Sequence, residues 1–154
     1  MNAANLVLGI AVSRDDFLVQ SFDPEKAPTC AREHLQTTPE HRHCPLCGGR
    51  FLHRPTISGR PAFAAMARSR GVSPLVAWEQ LQAGSGRLRV FTTANAGTLV
   101  FGTSVWSADR GDDDVFDCIE FDGNDLAARA AEIRAVATEI GVPEDRKVLL
   151  YACT

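Results

Sequence analysis

Two short apolar runs lie near the start of the chain. Residues 6–12 and residues 17–22 are rich in Leu, Val, Ile and Phe, and the polar residues 14–16 lie between them. Apolar, partly β-branched runs on either side of a polar turn are typical of a β-hairpin. The pattern therefore predicts two strands that pair with each other.

Three helices are predicted farther along the chain. Proline or an Asn/Ser cap favours a helix start, and Gly favours a helix end. The start signals are Pro61, Ser73-Pro74 and Asn124, and the corresponding stop signals are Gly71, Gly84 and Gly141. The third helix has the clearest apolar face, with Leu126, Ile133 and Ile140 spaced by seven and Ala130, Val136 and Ala137 between them. One apolar stripe on a polar helix indicates packing against a core.

Further strands are predicted at residues 88–93, 99–106, 115–121 and 148–151. The pattern Leu6-Val7-x-Gly9-x-x-Val12 matches Leu99-Val100-x-Gly102-x-x-Val105. Either a related pair of strands or chance agreement between two apolar strands would explain this match. A Gly within a strand indicates a bulge or a close backbone approach. The order of elements predicts a single α+β domain over residues 1–154. Its mainly antiparallel sheet of five or six strands would carry the three helices on one face.

Composition narrows the class of protein. The chain has 154 residues, 45% of them hydrophobic, which suits one globular domain with a real core. Its longest aliphatic run, residues 6–12, is too short for a membrane span, and no base precedes Arg14 to start a signal peptide. Arg strongly outnumbers Lys, as in proteins from GC-rich genomes. We therefore expect a bacterial or phage protein that is cytoplasmic, in the bacterium or in the infected host.

Residues 29–55 differ from the rest of the chain. They show almost no apolar periodicity, yet they hold three of the five cysteines and all four histidines. A segment that cannot build its own core needs something else to order it. Cys44-Pro-Leu-Cys47-Gly48-Gly49 is a tight turn whose two thiolates can share one zinc. Upstream, Cys30 and His34 are spaced to share one side of a turn, so the predicted ligands are Cys30, His34, Cys44 and Cys47.

This stretch resembles a zinc ribbon or zinc knuckle of the Cys3His type, over about residues 30–50. The resemblance implies a structural Zn²⁺ in a ribbon, residues 29–55, inserted between the second strand and the first helix. His41, His43 and His53 remain alternatives to His34 as the fourth ligand. Four protein ligands leave no open position for water, and the His-x-Glu…Pro-Cys-x-x-Cys pattern of zinc deaminases is absent. A redox pair or a disulfide scaffold explains the cysteines less well.

Charge is unevenly distributed along the chain. The net charge is −3, but residues 26–70 hold eight basic residues against two acidic ones. Arg50, Arg54 and Arg60 follow Cys47, the last predicted ligand, and are candidate contacts for an anionic partner. Phosphates would also suit these arginines, so a nucleic-acid-binding protein using residues 50–70 is the alternative function.

An enzymatic function finds little support. The chain lacks the glycine-rich phosphate and dinucleotide motifs and the Gly-x-Ser-x-Gly turn. The carboxylates of residues 109–125 could hold metal ions in a hydrolase, a weaker alternative to a solvated acidic loop. Residues 63–81 have helix-turn-helix spacing but few bases on the second helix, which favours a packed helical hairpin. We expect a binding protein that contacts a partner macromolecule. The expected partner is a protein rather than a nucleic acid, and we expect no contact with a membrane.

Overall fold

The fold is α+β, as predicted. The computed structural model describes residues 4–21, 29–34, 36, 41–51, 56–84, 86–95, 97–108 and 119–154. Within them the elements are β1 (Ala4–Val12), a 3₁₀ turn (Arg14–Asp16), β2 (Leu18–Ser21), β3 (Thr56–Gly59), α1 (Pro61–Ser69), α2 (Pro74–Ala83), β4 (Arg89–Thr92), β5 (Leu99–Ala108), α3 (Gly123–Glu139) and β6 (Leu149–Cys153). None of the helices in this part of the chain is both long and apolar enough to cross a membrane.

The strands form two antiparallel sheets instead of one. Four of them pair in the order β4-β5-β1-β6, and β2 pairs with β3 alone. The predicted hairpin of residues 6–12 with 17–22 is therefore wrong, although both segments contain strands. Its two strands do not pair because β5 and β6 occupy both edges of β1. The 3₁₀ turn, capped by the Ser13 side chain, instead directs the chain into β2.

The four-stranded sheet is strongly curled. Although β4 and β6 lie at opposite edges, their ends meet: the Thr154 N–H donates to the Thr92 carbonyl and the Ala94 N–H donates to the Ala152 carbonyl, both at 3.1 Å. The concave face encloses a small apolar cluster of Val7, Phe91, Val100 and Cys153. The sheet thus buries one of its faces largely by its own curvature.

Two opposed glycines permit this curvature. Gly9 of β1 lies directly across from Gly102 of β5, so the glycines of the sequence match face each other. A Cβ on Gly9 would lie 2.6 Å from the Phe101 carbonyl oxygen and from a methyl of Val100. A Cβ on Gly102 would overlap the Leu8 carbonyl oxygen. Glycine is therefore required on both strands where they approach most closely.

The main core lies on the other face of this sheet. Leu8, Ile10 and Val12 of β1 pack there with apolar residues of all three helices and of β2. At its centre the Phe17 ring lies 5.1 Å from Phe63 and 5.3 Å from Trp78, between centroids. Such tilted aromatic pairs add to the burial of apolar area. The three helices lie on one face, as predicted.

The helix boundaries follow the sequence signals closely. Pro61 and Pro74 occupy first helical positions, and the Ser73 hydroxyl caps α2 by accepting from the Val76 N–H at 3.3 Å. On α3 the cap is Asp122 and not the predicted Asn124, because the Asp122 carboxylate accepts from the Asn124 N–H at 2.8 Å. In α3, Ile133 and Ala137 are buried in the core, which confirms the predicted apolar stripe.

The predicted strand 115–121 lies mostly outside the described residues, and residues 119–121 are not part of a strand. The same holds for most of the acidic cluster, residues 109–118. Its described carboxylates are Glu120, Asp122 and Asp125. Asp122 caps α3, and Asp125 accepts from Arg129 Nε at 2.9 Å, so local structure engages two of the three.

A bidentate ion pair joins the 3₁₀ turn to the loop before β6. Arg146 donates from Nη1 and Nη2 to the two carboxylate oxygens of Asp16, at 2.5 and 2.8 Å, and from Nη1 to the Ala11 carbonyl. Burial favours the neutral form of Asp16. The hydrogen bonds from Arg146 and the Ser13 N–H outweigh this effect and hold the pKa of Asp16 below its ordinary value. The pair therefore fixes the 3₁₀ turn after β1 against the loop that precedes β6.

The close approach of β1 and β5 predicts a position-specific cost of adding one methyl group. We expect Gly102→Ala to lower the free energy of unfolding by about 1–3 kcal/mol, because overpacking shifts the backbone. Gly123→Ala is the control: its Cβ would enter open space, so the change should be neutral or stabilising. Urea unfolding of both variants measures the difference, and an unaffected Gly102→Ala protein would contradict the close approach.

The Asp16–Arg146 pair predicts a pH-dependent contribution to stability. Because folding lowers the Asp16 pKa, the stabilisation is fully present above the unfolded-state value of about 3.9 and is lost as the pH falls through the lower folded-state value. Asp16→Asn should cost about 1–3 kcal/mol at pH 7, and this difference from wild type should shrink in acid. Exposed Asp15→Asn is the control. A difference that stays constant with pH would argue against the ion pair.

Candidate metal centre

The cysteine- and histidine-rich segment lies between two paired strands. Ser21, the last residue of β2, pairs with Thr56, the first residue of β3. The chain between them therefore leaves and returns at neighbouring points. Leu18 of β2 is buried in the main core, and Ile57 of β3 packs against it. The small sheet thus ties the segment at both ends to the folded domain.

The first ligand pair lies in a tight turn. The Glu33 N–H donates to the Cys30 carbonyl at 2.8 Å, and the Cys30 N–H donates to the His34 carbonyl at 3.1 Å. Glu33 has a φ of 63°, a left-handed conformation that non-glycine residues adopt infrequently. This turn places the Cys30 thiol and the His34 ring on the same side of the chain.

The second ligand pair lies in a similar turn. The Cys44 N–H donates to the Gly49 carbonyl at 2.7 Å, and the Gly48 N–H donates to the Cys44 carbonyl at 2.8 Å. Gly48 takes the left-handed position at a φ of 71°, which glycine adopts without steric cost. A Cβ on Gly49 would approach the Cys47 sulfur to 3.3 Å, so the second glycine keeps space beside this thiol.

The two turns bring four ligand atoms together. One nitrogen of His34 and the sulfurs of Cys30, Cys44 and Cys47 all lie within 4.8 Å of one another. Cys44 Sγ is 3.5 Å from His34 Nδ1, and Cys47 Sγ is 3.6 Å from Cys30 Sγ. With zinc bonds of about 2.3 Å to sulfur and about 2.0 Å to nitrogen, a tetrahedral site has edges of about 3.8 Å (S–S) and about 3.6 Å (S–N). The Cys44–His34 and Cys47–Cys30 distances are close to these edges.

Burial in this segment concentrates on the thiols. Within residues 29–34, 36 and 41–51, only Cys30 and Cys44 are buried, while Cys47 and His34 are half-buried. An apolar core would instead bury aliphatic or aromatic side chains. The structure therefore places the ligands where a small domain would place its core.

The backbone influences how readily the thiols ionise. Burial disfavours the Cys30 thiolate, but the N–H groups of Arg32 and His34 and the neighbouring thiols outweigh it and lower the pKa of Cys30. At Cys47 the Gly49 N–H favours the thiolate. Burial and the nearby Cys30 and Cys44 sulfurs outweigh this hydrogen bond, so the pKa of Cys47 is raised. Three clustered thiols resist shared ionisation, and a divalent cation removes that conflict because it binds them as thiolates.

The alternative fourth ligands fall into two groups. His41 and His43 are exposed and lie outside the ligand cluster, and His53 lies outside the described residues. Among the residues that can be compared, His34 is thus the one whose ring meets the three thiols. The redox alternative lacks its usual context, since Cys44 and Cys47 lie in a turn and not at the start of a helix. The described cysteines are free thiols.

The predicted arginine contacts differ in their surroundings. Arg50 is exposed and pairs through its backbone with His43, beside the second turn. The Arg60 Nε donates to the Asp15 carbonyl at 2.6 Å, so this side chain also braces the 3₁₀ turn. Arg54 lies outside the described residues.

Sequence reasoning missed one residue at this site. Leu46 lies between the two cysteines of the second turn, and 77% of it is exposed. Its position between Cys44 and Cys47 at the tip of a tight turn is the sequence signal that could have identified it. An apolar side chain held this far from the core has no packing role in the described fold.

Comparison of the chain with protein-family models, with curated proteins and with solved structures finds no match. Three thiolates and one imidazole in this geometry suit Zn²⁺, and a site closed by four protein ligands is typical of a structural metal.

The ligand geometry predicts a metal content that depends on particular side chains. Purified protein should hold about one zinc per chain by elemental analysis, because the described residues offer one four-ligand set. Cys44→Ser, Cys47→Ser and His34→Ala should lose the metal. His43→Ala is the matched control and should keep it. Zinc-free fresh protein, or metal loss in His43→Ala but not in His34→Ala, would contradict the assignment.

Proposed function

We propose that the chain is a zinc-stabilised binding protein that contacts a partner protein through the metal-binding segment, residues 29–55. The exposure of Leu46 is the observation that carries this proposal. A leucine at the tip of a turn clamped on both sides by metal ligands is an apolar contact presented on a rigid support. Burying a leucine side chain in a partner's pocket contributes about 1.5–3 kcal/mol, and a preordered turn loses little entropy on binding.

Charge around this turn indicates the chemistry of the partner. Arg32, Arg42 and Arg50 are exposed on the two turns, and Glu33 is the one acidic residue among the described residues of the segment. Positive charges around an apolar tip favour an acidic surface with an apolar pocket. Such an arrangement steers association and restricts the choice of partner more than it adds affinity.

A protein partner suits this surface better than nucleic acid does. Arginine contacts to phosphates would explain the basic residues but not Leu46, because an aliphatic side chain offers bases no aromatic platform. Sites for single-stranded nucleic acid pair basic grooves with stacked aromatic rings. Phe51, the aromatic residue next to Arg50, is half-buried, so only part of its ring is open to stack on a base. The tip residue of the second turn therefore favours the protein partner.

Zinc has a positioning role in this proposal. The four ligands fix the two turns relative to each other, and with them the direction of the Leu46 and Arg50 side chains. Because binding of a structural metal is coupled to folding of its site, removal of zinc should disorder the contact surface itself. Enzymatic chemistry is not part of the proposal, since the metal would have no position left for water or substrate.

The proposal can be tested by crosslinking from the tip of the turn. With a photoreactive amino acid in place of Leu46, expressed in its native cells, the chain should crosslink to one protein, which mass spectrometry identifies. The same residue at exposed Val76 on α2 is the control and should not crosslink to it. A crosslink to nucleic acid, or the same products from both positions, would contradict the proposal.

With that partner purified, Leu46→Ser should weaken binding more than about tenfold, as expected for a residue at the centre of an interface. Val76→Ser should bind as the wild type does. Both side chains are exposed, so neither variant should change the melting temperature much. Equal affinities for Leu46→Ser and wild type would show that the tip of the turn is not the contact.

A further inference from the structure

A cavity of about 460 Å³ lies between the helices and the four-stranded sheet. Phe101 of β5, Leu81 of α2 and Ile140 at the end of α3 are buried residues that line it. Met66 of α1 and Val136 of α3 add further apolar surface. Small-molecule sites typically measure about 300–1,000 Å³ and are lined mostly by apolar side chains. The cavity therefore has the size of a ligand site, and its lining combines apolar side chains with polar ones.

Basic residues surround this apolar floor. Arg70, Arg87 and Arg89 line the cavity together with one acidic residue, Glu132. Arg87 Nη2 is 3.1 Å from a Glu132 carboxylate oxygen, in an exposed pair that contributes little to stability. The charged lining residues therefore carry a net positive charge, beside the apolar part of the lining.

The three arginines differ in their availability. The Arg89 guanidinium lies 4.4 Å above the Phe91 ring, and its Nη1 donates to the Gly84 carbonyl at 3.2 Å. Arg87 already has a carboxylate partner in Glu132. Arg70, the cap residue of α1, is exposed and pairs with no carboxylate in the part of the chain that is described. Arg70 is therefore the arginine most available to bind an anionic ligand.

We propose that this cavity binds a small carboxylate with an apolar body, the body lying against the partly exposed Met66 and Val136 and the carboxylate meeting Arg70. A simple inorganic anion would leave the apolar part of the lining unused, and a neutral apolar molecule would leave Arg70 without a carboxylate partner. A charge-assisted hydrogen bond from Arg70 would fix the orientation of the ligand. None of the lining residues belongs to the metal-binding segment, so the proposal is independent of the partner-protein function.

Titration calorimetry with octanoate tests this proposal. Octanoate should bind the zinc-loaded protein saturably, with one site per chain, and 1-octanol should bind at least about tenfold more weakly because it lacks the charge. Acetate, which has the charge without the apolar body, should not bind measurably. No binding of octanoate, or equal binding of octanoate and 1-octanol, would overturn the proposal.

Two variants locate the site. Arg70→Ala should weaken octanoate binding about tenfold, while Arg68→Ala, an exposed arginine of the same helix outside the cavity lining, should leave it unchanged. Gln80→Trp places a large ring at the cavity from an exposed position of α2 and should abolish binding without changing the core. Thermal melting verifies that each variant is folded. Undiminished binding by folded Arg70→Ala or Gln80→Trp would contradict the proposed site.

Discussion

The metal-binding segment depends on the bonds that three thiols and one imidazole can make to a single metal ion. In its described residues, only two cysteines are buried, so no apolar contact replaces the ligand bonds. Structural zinc in small peptides binds with about 10–16 kcal/mol, which is enough to order a segment that has no core. The two turns are built for this role, because backbone hydrogen bonds close each of them around its ligand pair.

The remainder of the domain has a different basis for its stability. β1 lies between β5 and β6, and its two faces serve two apolar clusters, one under the helices and one inside the curled sheet. The pair β2–β3 joins the core to the metal-binding segment: Leu18 packs in the main core, and Ser21 and Thr56 pair where the chain leaves the small sheet and returns to it. Loss of the metal is therefore expected to disorder the segment and to spare the core.

The sequence predicted what local chemistry determines. Proline, serine and glycine placed the ends of α1 and α2, and ligand spacing selected the four residues that the fold brings together. The pairing of the strands could not be predicted in this way, because it depends on contacts between residues that are far apart in the sequence. The false hairpin arose from adjacency alone, whereas β1 pairs on its two sides with β5 and β6, which lie far later in the chain. The exposure of Leu46 and the cavity beside Arg70 likewise depend on tertiary packing, which apolar periodicity does not encode.

We expect zinc to order the two ligand turns, residues 30–34 and 44–49, and amide hydrogen exchange measures this order at single residues. The N–H groups of Cys30, Cys44 and Gly48, which close the two turns, should exchange slowly in the zinc-loaded protein and rapidly after chelation. Amides of β1 and β5 should keep their protection in both states. Slow exchange at the two turns without zinc would show that they fold without the metal, and loss of protection throughout the sheet would show that the core depends on it.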